Sequence, residues 1–170
     1  ELDTASLETF AGAGDAFVTT WYDQSGNGLD VTQTSASNQP KIVSSGSTIL
    51  ENGKAAVEFD GSNDYFISSN TFTHNTIAIV AQKPETSGLI WSAHNDGLTP
   101  QYIGRPSGQP SAFYYENISI SESIFSSGQT LFFADKTKKL YANNVLKMSG
   151  ALSNAGTYDN LYIGSRQQLN

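Results

Sequence analysis

The chain has 170 residues, of which 38% are hydrophobic and 15% charged, and its formal net charge at pH 7 is −7. This length predicts one domain that can bury a core, and the absence of cysteine excludes disulfides, thiolate catalysis and cysteine-ligated metal centres. The acidic balance argues against nucleic acid as a partner, and no apolar run is long enough for insertion into a membrane as a helix. We therefore expect a single domain over residues 1–170.

One short helix is predicted near the start of the chain. Asp3 or Thr4 can cap its N-terminus, because both side chains accept hydrogen bonds from free backbone N–H groups. Leu7 and Phe10 are three residues apart, and Gly12 ends the run. A helix of about two turns needs support from the rest of the fold.

The remaining sequence consists of strand-like segments separated by turns. Residues 17–22 are β-branched and aromatic and end at a Gly-rich turn. Residues 54–59 alternate in polarity, and residues 64–67 are predicted to pair with them as a hairpin across the turn at 60–63. Residues 76–81 are nearly all apolar, which predicts a central strand buried on both faces.

Further strands follow up to the end of the chain. They are predicted at 89–91, 101–103, 112–115, 130–133, 139–142 and 161–163. Asn143 and Asn144 predict a tight turn, since asparagine tolerates positive φ. Many short strands without long helices predict an all-β fold, namely an antiparallel two-sheet jelly-roll sandwich with one short N-terminal helix.

Three stretches of the sequence resemble a known family. They are VTTWYDQSGNG at 18–28 with QPKIV at 39–43, NGKAAVEFDG at 52–61, and LYANN at 140–144 with LYIGS at 161–165. The first resembles a segment of the α-L-arabinofuranosidase B catalytic domain, and the other two are general to laminin-G-like, concanavalin A-like jelly rolls. The resemblance implies a concanavalin A-like fold and a function that involves carbohydrate.

The same resemblance implies that the chain is a piece of a longer polypeptide. The family usually has a strand region before the helix and a closing strand after the Tyr-Ile-Gly segment, and both are missing here. A jelly roll without them exposes backbone edges, which invite pairing with another chain. We therefore expect edge-strand self-association.

A glycoside hydrolase is one function that the resemblance implies. Tyr114-Tyr115-Glu116-Asn117 resembles the place where the family carries its nucleophile, so Glu116 is the candidate catalytic residue. Retaining hydrolysis needs a second carboxylate about 5 Å away. The family's second carboxylate corresponds here to Arg166, and its adjacent cysteine pair is absent. Asp96, Asp135 and Asp159 remain alternative partners, and an ordinary exposed strand carboxylate is the alternative for Glu116.

Carbohydrate binding uses the same predicted surface. Sugars bind to aromatic faces, and planar polar side chains hold their hydroxyl groups. The predicted sugar-binding residues are Trp91, His94, Asp96, Tyr102, Tyr114, Asn117 and Arg166. Core packing is the alternative for Trp91, and it is the preferred role for Trp21.

Calcium is the one cofactor that the sequence raises. Asp23, Asn27 and Asp30 form an oxygen-rich turn whose spacing differs from that of an EF-hand. The alternative, which we favour, is that Asp23 accepts hydrogen bonds from N–H groups of its own Gly-rich turn. The same alternative applies to the turn at residues 60–64.

Three functions remain open at this point. The first is a carbohydrate-binding or adhesion module of a larger extracellular, cell-surface or virion-surface protein, with a glycan or polysaccharide as its partner. The second is a retaining α-L-arabinofuranosidase-like glycoside hydrolase. The third is a purely structural β-sandwich.

Overall fold

The fold is taken from a computed structural model of the chain. It describes residues 2–68, 70–71, 76–82, 88–94, 101–105, 112–115, 118–121, 129–135, 139–143, 145–149 and 160–165. In this part of the chain, nearly all regular structure is antiparallel β-strand. The all-β prediction is confirmed at this level.

The predicted N-terminal helix is confirmed as α1, Thr4–Ala11. Asp3 is the N-cap and accepts a hydrogen bond from the Ser6 N–H at 3.1 Å, while Gly12 follows the helix with φ of +62°. Phe10 is 85% exposed, so it does not anchor the helix. Tertiary support comes instead from the Glu8 carboxylate, which accepts a hydrogen bond from the Thr48 N–H at 2.8 Å.

Seventeen strands are assigned in the described residues. In chain order, β1 to β8 are Ala16–Phe17, Thr20–Trp21, Val31–Thr32, Lys41–Ser44, Ser47–Thr48, Leu50–Glu51, Lys54–Ala55 and Phe66–Ser68. Strands β9 to β17 are Thr76–Gln82, Gly88–His94, Gln101–Arg105, Ala112–Tyr115, Ile118–Ser121, Gln129–Asp135, Lys139–Ala142, Val145–Ser149 and Asn160–Ser165. A 3-10 turn at Ala36–Asn38 lies between β3 and β4.

Two sheets contain most of these strands. The large sheet has the order β13-β12-β11-β10-β17-β8-β3-β2, and the small sheet has the order β16-β15-β14-β9. A three-stranded sheet, β1-β4-β5, and the hairpin β6-β7 complete the described pairings. Because β17 pairs with β8 and β10, the last described strand lies in the middle of the large sheet.

The predicted hairpin between residues 54–59 and 64–67 is wrong. Strand β7 pairs with β6, whereas β8 pairs with β17 and β3. The physical reason is the turn between β6 and β7, where Asn52 and Gly53 both have positive φ, as a two-residue type I′ hairpin requires. The turn after residue 59 instead closes on itself, because Asp60 accepts hydrogen bonds from the Ser62 and Asn63 N–H groups.

The prediction that residues 76–81 form a central strand buried on both faces is also wrong. Strand β9 lies at the end of the small sheet and pairs only with β14 among the described strands. Val80 is 62% exposed and Ala78 is exposed as well. An apolar run therefore marked a strand here without determining its place in the sheet.

The turn at Asn143 is confirmed. Asn143 has φ of +48° and directly follows β15. Its side-chain Oδ1 accepts a hydrogen bond from the Leu131 N–H at 2.9 Å, and its own N–H donates to the Leu131 carbonyl at 3.0 Å. The turn residue is thus tied to the neighbouring strand β14 as well as to its own hairpin.

The core of the large sheet is organised around the fully buried Phe66. The rings of Trp21 and Phe59 both meet Phe66 edge-on, with centroid distances of 6.1 and 5.8 Å. Gly164, with φ of +64°, lies so close to Phe59 that an added Cβ would overlap the ring. Trp21, Phe59 and Gly164 are far apart in the sequence, so three distant segments of the chain meet in one cluster.

The described residues contain no helix with the length and apolar character needed to span a membrane.

Candidate functional site

Two aromatic side chains are exposed at the β2 end of the large sheet. Trp21 is 49% exposed and Tyr22, the next residue, is 65% exposed. We call these two side chains the aromatic platform. The ring of Trp21 also meets Phe66 at 83° between the ring planes, so one part of the indole is held by the core while the rest faces solvent. Trp21 therefore packs against the core, as its preferred role predicts, but about half of its side chain remains exposed.

The platform stands at the start of a compact loop, residues 22–30, that connects β2 to β3. The Asp23 carboxylate organises this loop by accepting hydrogen bonds from the N–H groups of Ser25 at 2.8 Å, Asn27 at 3.1 Å and Leu29 at 3.1 Å. The Ser25 hydroxyl donates a fourth bond at 2.7 Å. A single side chain thus satisfies donors from most of the loop, as an Asx-type turn does.

The charged form of Asp23 is favoured by these donors. Hydrogen bonds from the Ser25 N–H, from the Ser25 hydroxyl and from the Leu29 N–H, in that order, lower the pKa of Asp23 to about 2. Asp30 closes the other end of the loop, because its Oδ1 accepts a hydrogen bond from the Asp23 N–H at 2.7 Å. Near neutral pH the loop therefore has a defined set of charge-assisted hydrogen bonds.

Two further features fix the shape of the loop. Gly26 and Gly28 have φ of +83° and +69°, a conformation that other residues adopt only with strain. The Asn70 side chain, just beyond β8, donates a hydrogen bond to the Gly28 carbonyl at 3.0 Å. Hydrogen bonds to Asp23 inside the loop and from Asn70 outside it thus fix the loop conformation. The aromatic platform therefore lies next to an ordered loop.

The hydrogen bonds confirm the turn role that the sequence predicts for Asp23. The calcium site at Asp23, Asn27 and Asp30 stays a prediction. In the described ranges, no group of three or more His, Asp or Glu side chains is placed to hold a metal ion. A cation at Asp23 would compete with four donors that already converge on its carboxylate.

The structure places part of the predicted sugar-binding set on adjacent strands. Trp91 and His94 lie on β10, Tyr102 on β11 and Tyr114 on β12. Strand β10 pairs with β11, and β11 pairs with β12. The topology therefore brings these four backbone positions into one region of the large sheet.

The register of these strands divides the set between the two faces of the sheet. Position 102 is opposite Ser92, and position 114 is opposite Gly104, so positions 102 and 114 share a face. Trp91 is opposite both Ile103 and Ile163, and Ile163 is opposite the buried Phe66. Position 91 is thus on the Phe66 face, away from positions 102 and 114.

Four predicted site residues lie outside the described residues: Asp96, Glu116, Asn117 and Arg166. The catalytic prediction for Glu116 therefore stays a prediction.

Sequence reasoning did not select the aromatic platform, although a signal was present. Trp21 is the last residue of β2, and Tyr22 begins the loop that leads into the Gly-rich turn. Aromatic residues where a strand passes into a loop are candidates for exposure, because loops run over the protein surface.

Comparison of the chain with family models, with curated proteins and with solved structures finds no match.

Proposed function

We propose that this protein is a glycan-binding module built on a two-layer jelly roll of the concanavalin A-like class. The observation that carries the proposal is the half-exposed Trp21, held edge-on by Phe66 and followed by Tyr22 at the start of a hydrogen-bonded loop. We propose that this module is part of a larger secreted or surface protein and attaches that protein to glycans.

The burial of the two sheets supports the two-layer arrangement. On the small sheet, Thr130 and Ala142 are buried, whereas Val80 and Leu131, which are opposite each other, are exposed on the other face. The large sheet buries Phe66. A sheet with one buried face packs that face against another layer, and the Phe66 face supplies an apolar partner of this kind.

The exposed part of Trp21 provides a surface suited to a sugar ring. Pyranose and furanose rings carry faces of C–H groups that pack on aromatic rings, while their hydroxyl groups stay hydrated or hydrogen-bonded. Roughly half of a tryptophan surface is about 100 Å², and at about 25 cal/mol per Å² its burial would contribute about 2.5 kcal/mol to binding. Because the loop is already ordered, little of this is lost in fixing the platform.

The negative charge of the protein favours binding of neutral glycans over acidic ones. The net charge is −7, and the platform loop carries Asp23 and Asp30. Sialylated or sulfated glycans would be repelled, particularly at low ionic strength. We therefore propose neutral glycans as ligands.

A glycan array containing neutral and acidic members tests this proposal. We compare the wild type with Trp21→Ala and Tyr22→Ala, and use Phe10→Ala as the control, because Phe10 is an exposed aromatic residue on α1. We expect neutral hits whose affinity falls about 10- to 100-fold in Trp21→Ala, as follows from a loss of about 1.4–2.8 kcal/mol. Phe10→Ala should bind as the wild type does.

The same experiment locates the site. If Tyr102→Ala and Tyr114→Ala abolish binding while Trp21→Ala has no effect, the ligand binds on the face of the large sheet that positions 102 and 114 share, and the platform is not the site. An array without hits for the wild type would contradict glycan binding and leave the structural sandwich.

A further inference from the structure

We propose that Asn52 is a site of covalent modification by spontaneous deamidation, and that the fold protects Asn27, which precedes a glycine in the same way, from this reaction. The chain contains Asn-Gly at 27–28 and at 52–53. A following glycine favours deamidation, because it has no side chain to hinder the approach of its backbone nitrogen. The sequence alone therefore does not distinguish the two sites. This inference is independent of the glycan proposal.

The reaction consumes water and releases ammonia. The backbone nitrogen of Gly53 attacks the side-chain Cγ of Asn52 and forms a new C–N bond. The bond from Cγ to Nδ2 breaks, and that nitrogen leaves as ammonia with the proton that Gly53 has lost. Water then opens the five-membered ring at either carbonyl, which gives aspartate or isoaspartate. No electrons are transferred, and each event adds one negative charge near neutral pH.

The hairpin that contains Asn52 presents its turn to solvent. Residues 52–55 are all exposed, and Leu50 is 56% exposed. A Cβ added at Gly53 would meet nothing within 4 Å. Ring closure requires rotation about the Cα–C bond of Asn52, whose φ of +49° belongs to the two-residue turn. Because none of residues 50–55 is buried, this turn opens at little cost and the rotation is accessible.

Asn27 is also exposed, but its backbone is held on both sides of the reacting bond. Its N–H donates to Asp23 Oδ2 at 3.1 Å, and its side-chain Nδ2 donates to Ser25 Oγ at 2.8 Å. On the other side, the Gly28 carbonyl accepts a hydrogen bond from the Asn70 side chain at 3.0 Å. The ring at Asn27 therefore closes only after several hydrogen bonds have opened together.

The charges beside the two sites increase this difference. Attack requires the glycine nitrogen to lose its proton, and a neighbouring negative charge opposes the anion that results. Asp23 Oδ2 accepts hydrogen bonds from the N–H groups on both sides of Gly28, so a carboxylate lies beside the nitrogen that would attack. At the hairpin, Glu51 and Lys54 are opposite each other in the register, and their charges offset each other.

Peptide mapping by mass spectrometry measures both sites in the same molecule after incubation at mildly alkaline pH in heavy-oxygen water. Trypsin releases Asn52 within residues 42–54 and Asn27 within residues 1–41. We expect Asn52 to react at least about 10-fold faster than Asn27, which corresponds to about 1.4 kcal/mol in the barrier. In guanidinium chloride, where neither turn is formed, the two rates should converge.

Three variants test the role of the fold. Asp23→Ala removes the carboxylate that organises the loop, so it should raise the rate at Asn27 at least about 10-fold and leave Asn52 unchanged. Asn70→Ala removes one hydrogen bond to the loop and should raise the rate at Asn27 to a smaller extent. Asn52→Gly leaves a Gly-Gly turn that accepts positive φ, and it should abolish the product at this site.

Equal rates at Asn52 and Asn27 in the folded wild type would overturn the proposal, as would a faster reaction at Asn27. A folded Asp23→Ala variant in which Asn27 reacts as slowly as in the wild type would also contradict it. If Asp23→Ala does not fold, an unchanged rate at Asn27 in Asn70→Ala counts against the proposal in the same way.

Discussion

Replacement of Gly164 by alanine should destabilise the fold more than its size suggests. Gly164 has φ of +64°, which costs an alanine about 1 kcal/mol. Its added methyl group would also overlap the Phe59 ring, and displacing a packed side chain costs about 1–3 kcal/mol. The expected loss of unfolding free energy is thus about 2–4 kcal/mol, or about 4–16 °C in Tm for a domain of this size.

Thermal unfolding followed by circular dichroism measures this loss. Gly61→Ala is the matched control, because Gly61 has φ of +70° and nothing within 4 Å of an added Cβ. The Gly61→Ala variant therefore introduces similar backbone strain without any steric overlap with a neighbouring side chain. Combining Gly164→Ala with Phe59→Leu, which changes the ring to a smaller side chain, should recover part of the difference. Equal Tm losses in Gly164→Ala and Gly61→Ala would refute the packing of Phe59 on Gly164.

The remaining predictions concern the loops and the helix. The pKa of Asp23 is about 2, below its ordinary 3.8, so its stabilising hydrogen bonds are complete above about pH 4 and are lost as the pH falls through about 2. Trp21 fluorescence should change over the same pH range. If the wild type shows no such change at low pH, or if Asp23→Asn shows the same change, Asp23 does not organise the loop as described. Gly46→Ala should lower the unfolding free energy by about 2 kcal/mol, because Gly46 has φ of +80° and its Cβ would lie 2.6 Å from the Gly12 carbonyl oxygen. Hydrogen exchange should be faster in α1 of that variant, and unchanged exchange would contradict the contact.

The predictions that the structure confirms depend on residues close in the chain. The cap of α1 joins Asp3 to Ser6, and the loop after β2 joins Asp23 to residues two to six positions later. Such contacts can be inferred from residue type and spacing alone, because the chain between the partners is too short to allow many alternatives.

Predictions that required a partner from far along the chain were less successful. The hairpin between 54–59 and 64–67 follows from alternation, yet β8 pairs with β17, which is about 95 residues later in the chain. Likewise, nothing local indicates that Trp91 and Tyr102 occupy positions on opposite faces, since that depends on the register between β10 and β11.

The amino-acid sequence by itself determined the strand-rich character of this protein, its short capped helix and its Asp-centred turns. These properties arise from backbone propensities and from hydrogen bonds within a few residues. Only the tertiary structure decided that Trp21 is half exposed, that Gly164 must accommodate Phe59, and that the apolar strand β9 has a single partner among the described strands. An apolar side chain is equally compatible with a core and with an edge, and its neighbours become defined only when distant strands pair.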